Sequence, residues 1–261
     1  MVAGAVAYDG LSADDLARVL GTPALECFDD VTSTLDVLHD LAADGAPAGT
    51  LVLADRQTRG RGRQGRPWHS PPGTGIWLGY LVRAASPVET AVLSLRVGLA
   101  VARTIGEVGL SVGLKWPNDL VMADRKLAGI LCEARWSNGA GWVAVGIGMN
   151  VHGPLPEELR PVAVALDEFQ AGVTRVAVLE ALAPRLRLLS VTPTLEEGEL
   201  AEYAGRDWLH GRQLAAPVPG TAAGIDATGA LVVETDRGHR AVTGGSVILA
   251  SRTDGDDRDW R

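Results

Sequence analysis

Between Ala54 and Pro72 the chain reads ADRQTRGRGRQGRPWHSPP, a connection carrying five arginines and three glycines between two apolar runs. The flanking runs, Thr50 to Ala54 (TLVLA) and Gly75 to Val82 (GIWLGYLV), are short and apolar, which predicts a strand on either side. Gly60, Gly62 and Gly65 let the backbone take positive φ and come close to a ligand. Arg61, Arg63 and Arg66 add permanently charged planar forks that match carboxylate or phosphate oxygens. The pattern points to an anion held by backbone and guanidinium together; a solvated charged connection is the simpler alternative. Gly60 to Gly65 also spells G-x-G-x-x-G, but Pro67, Pro71 and Pro72 deny the helix that a dinucleotide fold opens at the third glycine.

Composition narrows the function. At 261 residues and 46% hydrophobic the chain can build one good-sized domain and a small one. A formal charge of -8 argues against general binding to nucleic acid or to an anionic membrane. Cys27 and Cys132 have neither metal nor disulfide spacing, the start has no basic leader, and no apolar run reaches membrane length, so a cytoplasmic protein is expected. Of 24 basic residues only Lys115 and Lys126 are lysines, and both fall in LKWPNDLVMADRKLAGI. A compact ammonium is what arginine cannot imitate, which makes both site candidates.

Along the chain, Ala13 to Leu20 predicts a short amphipathic helix, and residues 1–22 are too few for a helix-turn-helix module, so no N-terminal DNA-binding domain is expected. Ala24 to Val31 predicts a strand. Thr34 to Ala43 predicts a helix capped by Ser33, with Asp36 closing a capping box. A long helix is expected from Pro87 to Val108, capped by Ser86 with Glu89 behind it and Val88 on its buried stripe. Strands follow at Val112 to Trp116, Asp119 to Met122, Leu127 to Trp136 and Gly141 to Val151, the last two joined by an Asn138-Gly139 hairpin. Helices are expected at Thr174 to Leu189 and at Leu195 to Ala204, the second capped by Thr194 with Glu197. From Leu209 on, five short strands at roughly eight-residue spacing predict a small β-barrel. The charged ending predicts a frayed tail.

RGRGRQGRPW (Arg59 to Trp68), KWPNDL (Lys115 to Leu120), RKLAGIL (Arg125 to Leu131) and GIGMNV (Gly146 to Val151) resemble, in order, the signatures of the biotin protein ligases. The resemblance covers about residues 24–250 and implies the type without an N-terminal DNA-binding domain. It implies an α+β fold: a mixed β-sheet backed by helices, in the manner of class II synthetases, then an SH3-like β-barrel. The expected division is 1–207 catalytic, 208–251 barrel and 252–261 tail.

The chemistry so implied has two steps. Biotin and ATP, with Mg²⁺, give biotinyl-5'-AMP and pyrophosphate; the acyl group then passes to a lysine of a biotin carboxyl carrier protein. The implied catalytic residues are Lys126, Arg63 and Asp119. Biotin would meet Ser33, Thr34, Leu35, Gln57, Arg61, Gly62, Arg63, Lys126 and Gly129. ATP and the adenylate would meet Arg61, Arg63, Arg66, Trp68, Lys115, Asn118, Lys126 and Asn150. The residue types suit this chemistry, because a carboxylate must reach a phosphorus that already bears negative charge. Leu35 departs from the Ser-Thr-Asn pattern common in bacterial relatives, leaving only a backbone contact there. Asp119 could hold Mg²⁺, help deprotonate the incoming lysine, or simply shape the turn after Pro117 with Asn118. Trp68 and Trp116 suit pocket walls or core as well as ligand contact. Gly146 and Gly148 alternate along a strand, as close approach of a ligand or another chain requires. The arginine loop is expected to order over the adenylate. A monomer or a homodimer is compatible with all of this.

Two other functions compete. A lipoate ligase or octanoyl transferase shares the architecture, but the KWPND and RGRGRQGR pair favours biotin. A nucleic-acid or partner-binding module lacks the interleaved aromatics that base stacking needs. A P-loop NTPase is excluded by the absence of GxxxxGK[ST].

Overall fold

The structure, a computed structural model, describes residues 8–22, 24–137 and 140–250. Helix α1 (Ala13–Leu20) opens the described chain, with the Ser12 hydroxyl accepting the Asp15 amide at 3.1 Å. Seven strands among the described residues then form one sheet: β1 (Leu25–Val31), β2 (Leu51–Gln57), β3 (Gly75–Ala84), β4 (Gly113–Lys115), β5 (Asp119–Met122), β6 (Arg125–Ser137) and β7 (Ala140–Asn150). Their spatial order is β1-β2-β3-β7-β6-β5-β4. Helix α2 (Thr34–Ala43) crosses from β1 to β2, so that pair is parallel; the other neighbours are antiparallel. This is the expected mixed sheet.

The two faces are covered unequally. Helices α3 (Leu93–Glu107) and α4 (Arg175–Arg187) bury Val97, Val101, Leu179 and Leu182 in one core with Leu53, Leu78, Ile130 and Val145. On the other face α2 seats Leu35, Leu38 and Ala42 against Val52, Leu81 and Ala144. That smaller apolar patch is reinforced by Arg83, whose guanidinium donates to the carbonyls of Ala42 at 2.9 Å and Ala46 at 2.7 Å. The helix can come this close because β3 has no side chain at Gly79, where a Cβ would lie 2.6 Å from Leu38 Cδ1. Beyond α2 the paired Gly129 and Gly148 leave this face bare, and the arginine loop lies there.

After α5 (Glu197–Ala204), strands β8 (Gln213–Ala216), β9 (Gly220–Ile225), β10 (Leu231–Thr235), β11 (Gly238–Val242) and β12 (Ile248–Leu249) make the expected second sheet, in the order β11-β10-β9-β8-β12. It shares the main core through Leu209, Leu214, Ala222, Leu231 and Val233. The Trp116 indole N–H donates to the Gly229 carbonyl at 2.9 Å, and the Trp208 amide to Leu114 at 3.0 Å. Trp116 is therefore core that ties the two sheets together. No helix among the described residues is long and apolar enough to cross a membrane.

Several element ends differ from expectation. The helix expected from Pro87 begins at Leu93, after a separate turn of 3₁₀ helix at Val88–Thr90. The Glu89 carboxylate accepts the Ala85 amide at 2.9 Å instead of one at Ser86, tightening that turn and leaving Val88 65% exposed, off the buried stripe. Glu196, not Thr194, starts α5, with Glu199 accepting its amide at 2.9 Å. Asp36 closes no capping box on α2; it accepts the Thr32 hydroxyl at 2.9 Å and pairs with Arg61. The Asn138-Gly139 turn lies outside the described residues, although β6 and β7 pair out to Ser137 and Ala140 on either side of it. The tail of residues 252–261 also lies outside them.

Thr194 is occupied by a different task. The guanidinium of Arg96, 3% exposed in the first turn of α3, donates to the carbonyls of Ser190, Thr192 and Thr194 and pairs with Glu199 at 2.8 Å. It pins the α4–α5 connection on which the second sheet rests. Arg96→Met would leave these acceptors unpaired, and removing one partner of a buried network costs about 3–5 kcal/mol. A urea titration should show the unfolding free energy falling by that amount, as a lower midpoint at unchanged slope.

Candidate active site

The arginine loop is a small hairpin built on the end of β2. Gln57 N–H donates to Ser70 O at 3.1 Å, Trp68 N–H to Gly60 O at 2.8 Å, and Gly62 N–H to Arg66 O at 2.8 Å. The chain reverses at Gln64 (φ 59°) and Gly65 (φ 70°). The Gln57 amide ties the base of the loop to α2: its oxygen accepts Thr34 N–H at 3.0 Å and the Thr34 hydroxyl at 3.3 Å, and its nitrogen donates to Ser70 Oγ at 2.9 Å. The Ser33 hydroxyl caps α2, accepting Leu35 N–H at 3.3 Å. Ser33, Thr34 and Leu35 are all buried.

The loop lays Trp68 across glycines of the sheet. Gly148 of β7 pairs with Gly129 of β6, and a Cβ at Gly148 would lie 2.5 Å from Trp68 Nε1. At Gly129 a Cβ would meet Trp68 Cζ3 and Lys126 Cε, each at 3.2 Å. Gly146 is the seat of the Leu35 side chain, 3.2 Å from its would-be Cβ, so Leu35 supplies an apolar wall. The close approach expected at Gly146 and Gly148 is thus made by two side chains of this chain. The Trp68 indole N–H is buried without a hydrogen-bond partner, a donor in a slot where such donors are normally paired.

At the end of this slot the charges converge. A register shift between Leu120 and Val121 sets Lys126 opposite Val121, and its Nζ stands 5.1 Å above the Trp68 ring and 2.7 Å from Asp119 Oδ1. The latter is a contact of charges rather than a directed hydrogen bond, since Oδ1 has no aligned donor. Arg63 reaches the same corner from the loop, donating to Asn118 Oδ1 at 3.3 Å. Burial pulls its guanidinium below the ordinary value, offset in part by the Asp119 carboxylate. Asn118 is fixed by its amide donating to Ile130 O at 2.8 Å. Cations from two distant segments therefore meet consecutive residues of one turn.

Of the other predicted residues, Lys115 pairs with Asp119 across β4 and β5, and its carbonyl accepts the Asn118 amide at 3.2 Å. Lys115 is 6% exposed, with Nζ 5.6 Å over the Trp208 ring. Asn150 is buried and donates to Val164 O at 3.2 Å, and exposed Arg66 donates to Gln64 at 3.3 Å. Arg61, next but one to Arg63, is held by Glu133 and Asp36. Among the described residues no three His, Cys, Asp or Glu side chains converge as a metal site. Sequence reasoning passed over Glu133 and His39. An acid in the apolar strand GILCEA was the available signal, because a charge pointing inward from a strand has a partner.

The fold and the site have counterparts in known proteins. Residues 25–150 match the Biotin/lipoate A/B protein ligase family, and residues 212–250 the Biotin protein ligase C terminal domain. The Bifunctional ligase/repressor BirA of Bacillus subtilis (strain 168) is 34% identical over 236 residues, 85% of this chain and 72% of that protein. The Biotin--[acetyl-CoA-carboxylase] ligase of Mycobacterium tuberculosis is 33% identical over 232 residues, 85% and 84% of the two chains. Among solved structures, the biotin protein ligase from Aquifex aeolicus in complex with biotin and ATP aligns with a TM-score of 0.71 at 27% identity, covering 88% of this chain and 100% of that one. These matches make the chain an enzyme of the biotin/lipoate ligase class. Within that class, the chain belongs to the biotin protein ligase family.

Glu133 gives the site a titratable element. Hydrogen bonds from Arg61 hold its carboxyl below the usual 4.5, against the opposing effect of burial and with further help from His39. A carboxyl lowered by folding adds stability that is complete above its unfolded pKa and disappears as pH falls through the folded one. Glu133→Gln should therefore be less stable than the parent at about pH 7, with the deficit shrinking steadily as pH is lowered below 4.5, measured as a series of urea midpoints.

Proposed function

We propose that this chain joins biotin to ATP as biotinyl-5'-AMP, releasing pyrophosphate, and passes the biotinyl group to one lysine of a biotin carboxyl carrier protein such as that of acetyl-CoA carboxylase. The observation that carries the proposal is the meeting of Arg63 and Lys126 at Asn118 and Asp119, beside an apolar slot floored by glycine. The biotin carboxylate attacks the α-phosphorus, and the two negative groups approach only where fixed cations offset their repulsion. Lys126 bridges the forming acyl-phosphate oxygens, and Arg63, oriented by Asn118, neutralises the phosphate. Gly129 leaves room for the ligand beside Lys126.

The rest of the site divides by chemistry. Ser33, Thr34 and Gln57 present polar atoms at one end of the slot, suited to a neutral ureido ring, while Leu35 and Trp68 supply apolar walls. Gly62 offers backbone to the carboxylate. Arg66, Lys115 and Asn150 belong to the nucleotide side. Asp119, whose Oδ1 has no directed hydrogen bond, is the carboxylate that would take one position on Mg²⁺ accompanying ATP, and the ion would supply charge neutralisation at the phosphates. In the second step the carrier's lysine amine attacks the acyl carbonyl, AMP leaves, and a base takes the proton. The working division assigns residues 1–207 to catalysis and 208–251 to the SH3-like domain.

Incubation with biotin, ATP, Mg²⁺ and a carrier domain should raise the carrier's mass by one biotinyl group, with lipoate in place of biotin giving none. Lys126→Arg should fold normally yet release pyrophosphate at least about a hundredfold more slowly, since a planar fork cannot occupy the place of a compact ammonium. An unmodified carrier, or near-normal release by Lys126→Arg, would overturn the corresponding assignment.

A further inference from the structure

Arg61 and Arg63 are indistinguishable in the motif RGRGR, but their surroundings are opposite. Arg61 Nε and Nη2 donate to the two oxygens of Glu133, each at 2.8 Å, and Nη1 lies 2.9 Å from Asp36 Oδ1. One cation thus faces two carboxylates, a locally negative group in which an arriving carboxylate or phosphate would be repelled. Arg63 has a neutral amide as its hydrogen-bond acceptor.

Both acids are held in turn. Trp142 Nε1–H donates to His39 Nδ1 at 3.0 Å, which leaves the hydrogen on Nε2, 3.2 Å from Glu133 Oε2. His39 is 2% exposed, and burial together with Arg135 disfavours its charged form. Asp36 Oδ2 accepts the Thr32 hydroxyl. Arg61 is therefore bonded to α2 through Asp36 and to β6 through Glu133, with His39 and Trp142 bracing the acid from α2 and β7. Glu133 stands on the strand that also carries Lys126 and Gly129.

From this geometry we propose that Arg61 is a positioning residue: its side chain is a strut that clamps the arginine loop to β6 and α2, holding Arg63 and Trp68 in register with Lys126, and it does not bind the substrate anion. The idea rests on the biotin-activating function proposed above. The contact there falls to the loop backbone at Gly62 and to Arg63. The bidentate fork matters, because it fixes the angle of the loop as well as its distance.

If the strut sets the fraction of molecules with the loop in place, apparent affinity falls as that fraction falls. Arg61→Gln, Glu133→Gln and the double variant should each raise KM for biotin about tenfold in biotin-dependent pyrophosphate release, with kcat changed far less. The double variant should be no worse than Arg61→Gln, which by itself already removes the contacts to both Glu133 and Asp36. Arg61→Lys should resemble Arg61→Gln, because a point charge does not restore the fork. Limited proteolysis within residues 59–66, without ligands, should quicken in all four by a similar factor. A large defect in Arg61→Gln with normal kinetics in Glu133→Gln would overturn the strut, as would unchanged loop cleavage or near-normal KM in Arg61→Lys. Absence of biotin-dependent pyrophosphate release in the parent protein would defeat the biotin assignment instead, and the proteolysis would still decide the strut.

Discussion

Two rows of the central sheet lack side chains where other proteins would place them, and the arrangement above the sheet follows from that. Gly146 pairs with Gly79 on one side, and Gly148 with Gly129 on the other. Glycine within a strand loses packing and backbone entropy, roughly 0.5–1 kcal/mol each relative to alanine. Here the loss is offset from above: Leu38 lies on Gly79, Leu35 on Gly146, and Trp68 on Gly148 and Gly129. The bare strip thus does two things. It lets α2 sit low enough for Thr34 to reach Gln57, and it seats Leu35 and Trp68 directly against the sheet.

The loop above this floor faces an electrostatic problem of its own making. Arginines at every second position would drive one another apart if all pointed into the slot. The fold separates them by partner. Arg61 is neutralised by Glu133 and Asp36, while Arg63 and Lys126 are interleaved with Asn118 and Asp119. The first group fixes the loop, and the second keeps charge available at the corner of the slot. Neither could replace the other, because a cation already opposed by two carboxylates attracts little further anion.

Local patterns made much of this legible. The ends of α1 and α2, the extent of β5, and the five terminal strands followed from periodicity, caps and turn residues. What failed was decided by tertiary partners. The start of α3 looked like Pro87 because Ser86, Pro87 and Glu89 make a good local cap; Glu89 bonds to Ala85 instead, and the helix waits for Leu93. Strand β2 runs on to Gln57, past the apolar run, because β1 pairs with it through Val31 and Gln57. Within the loop, the residue types marked an anion site, but no one-dimensional signal separates Arg61 from Arg63. The difference lies in Glu133, seventy-two positions away from Arg61.

The choice of lysine at position 126 is the most physically constrained feature of the site. Its Nζ would lie 3.4 Å from a Cβ on Gly129, and it stands 2.7 Å from Asp119 and 5.1 Å above the Trp68 ring. A guanidinium is planar and several atoms wide, so its donors could not occupy the single point that Nζ takes between the indole and Asp119. An ammonium can touch a carboxylate, a ring face and an incoming oxygen at once, and can turn its three donors among them. In a chain that otherwise uses arginine for charge, with only one other lysine, the compact cation stands between a carboxylate and an indole face, beside a glycine that leaves room. Geometry of that kind accounts for a lysine at this position without appeal to charge alone.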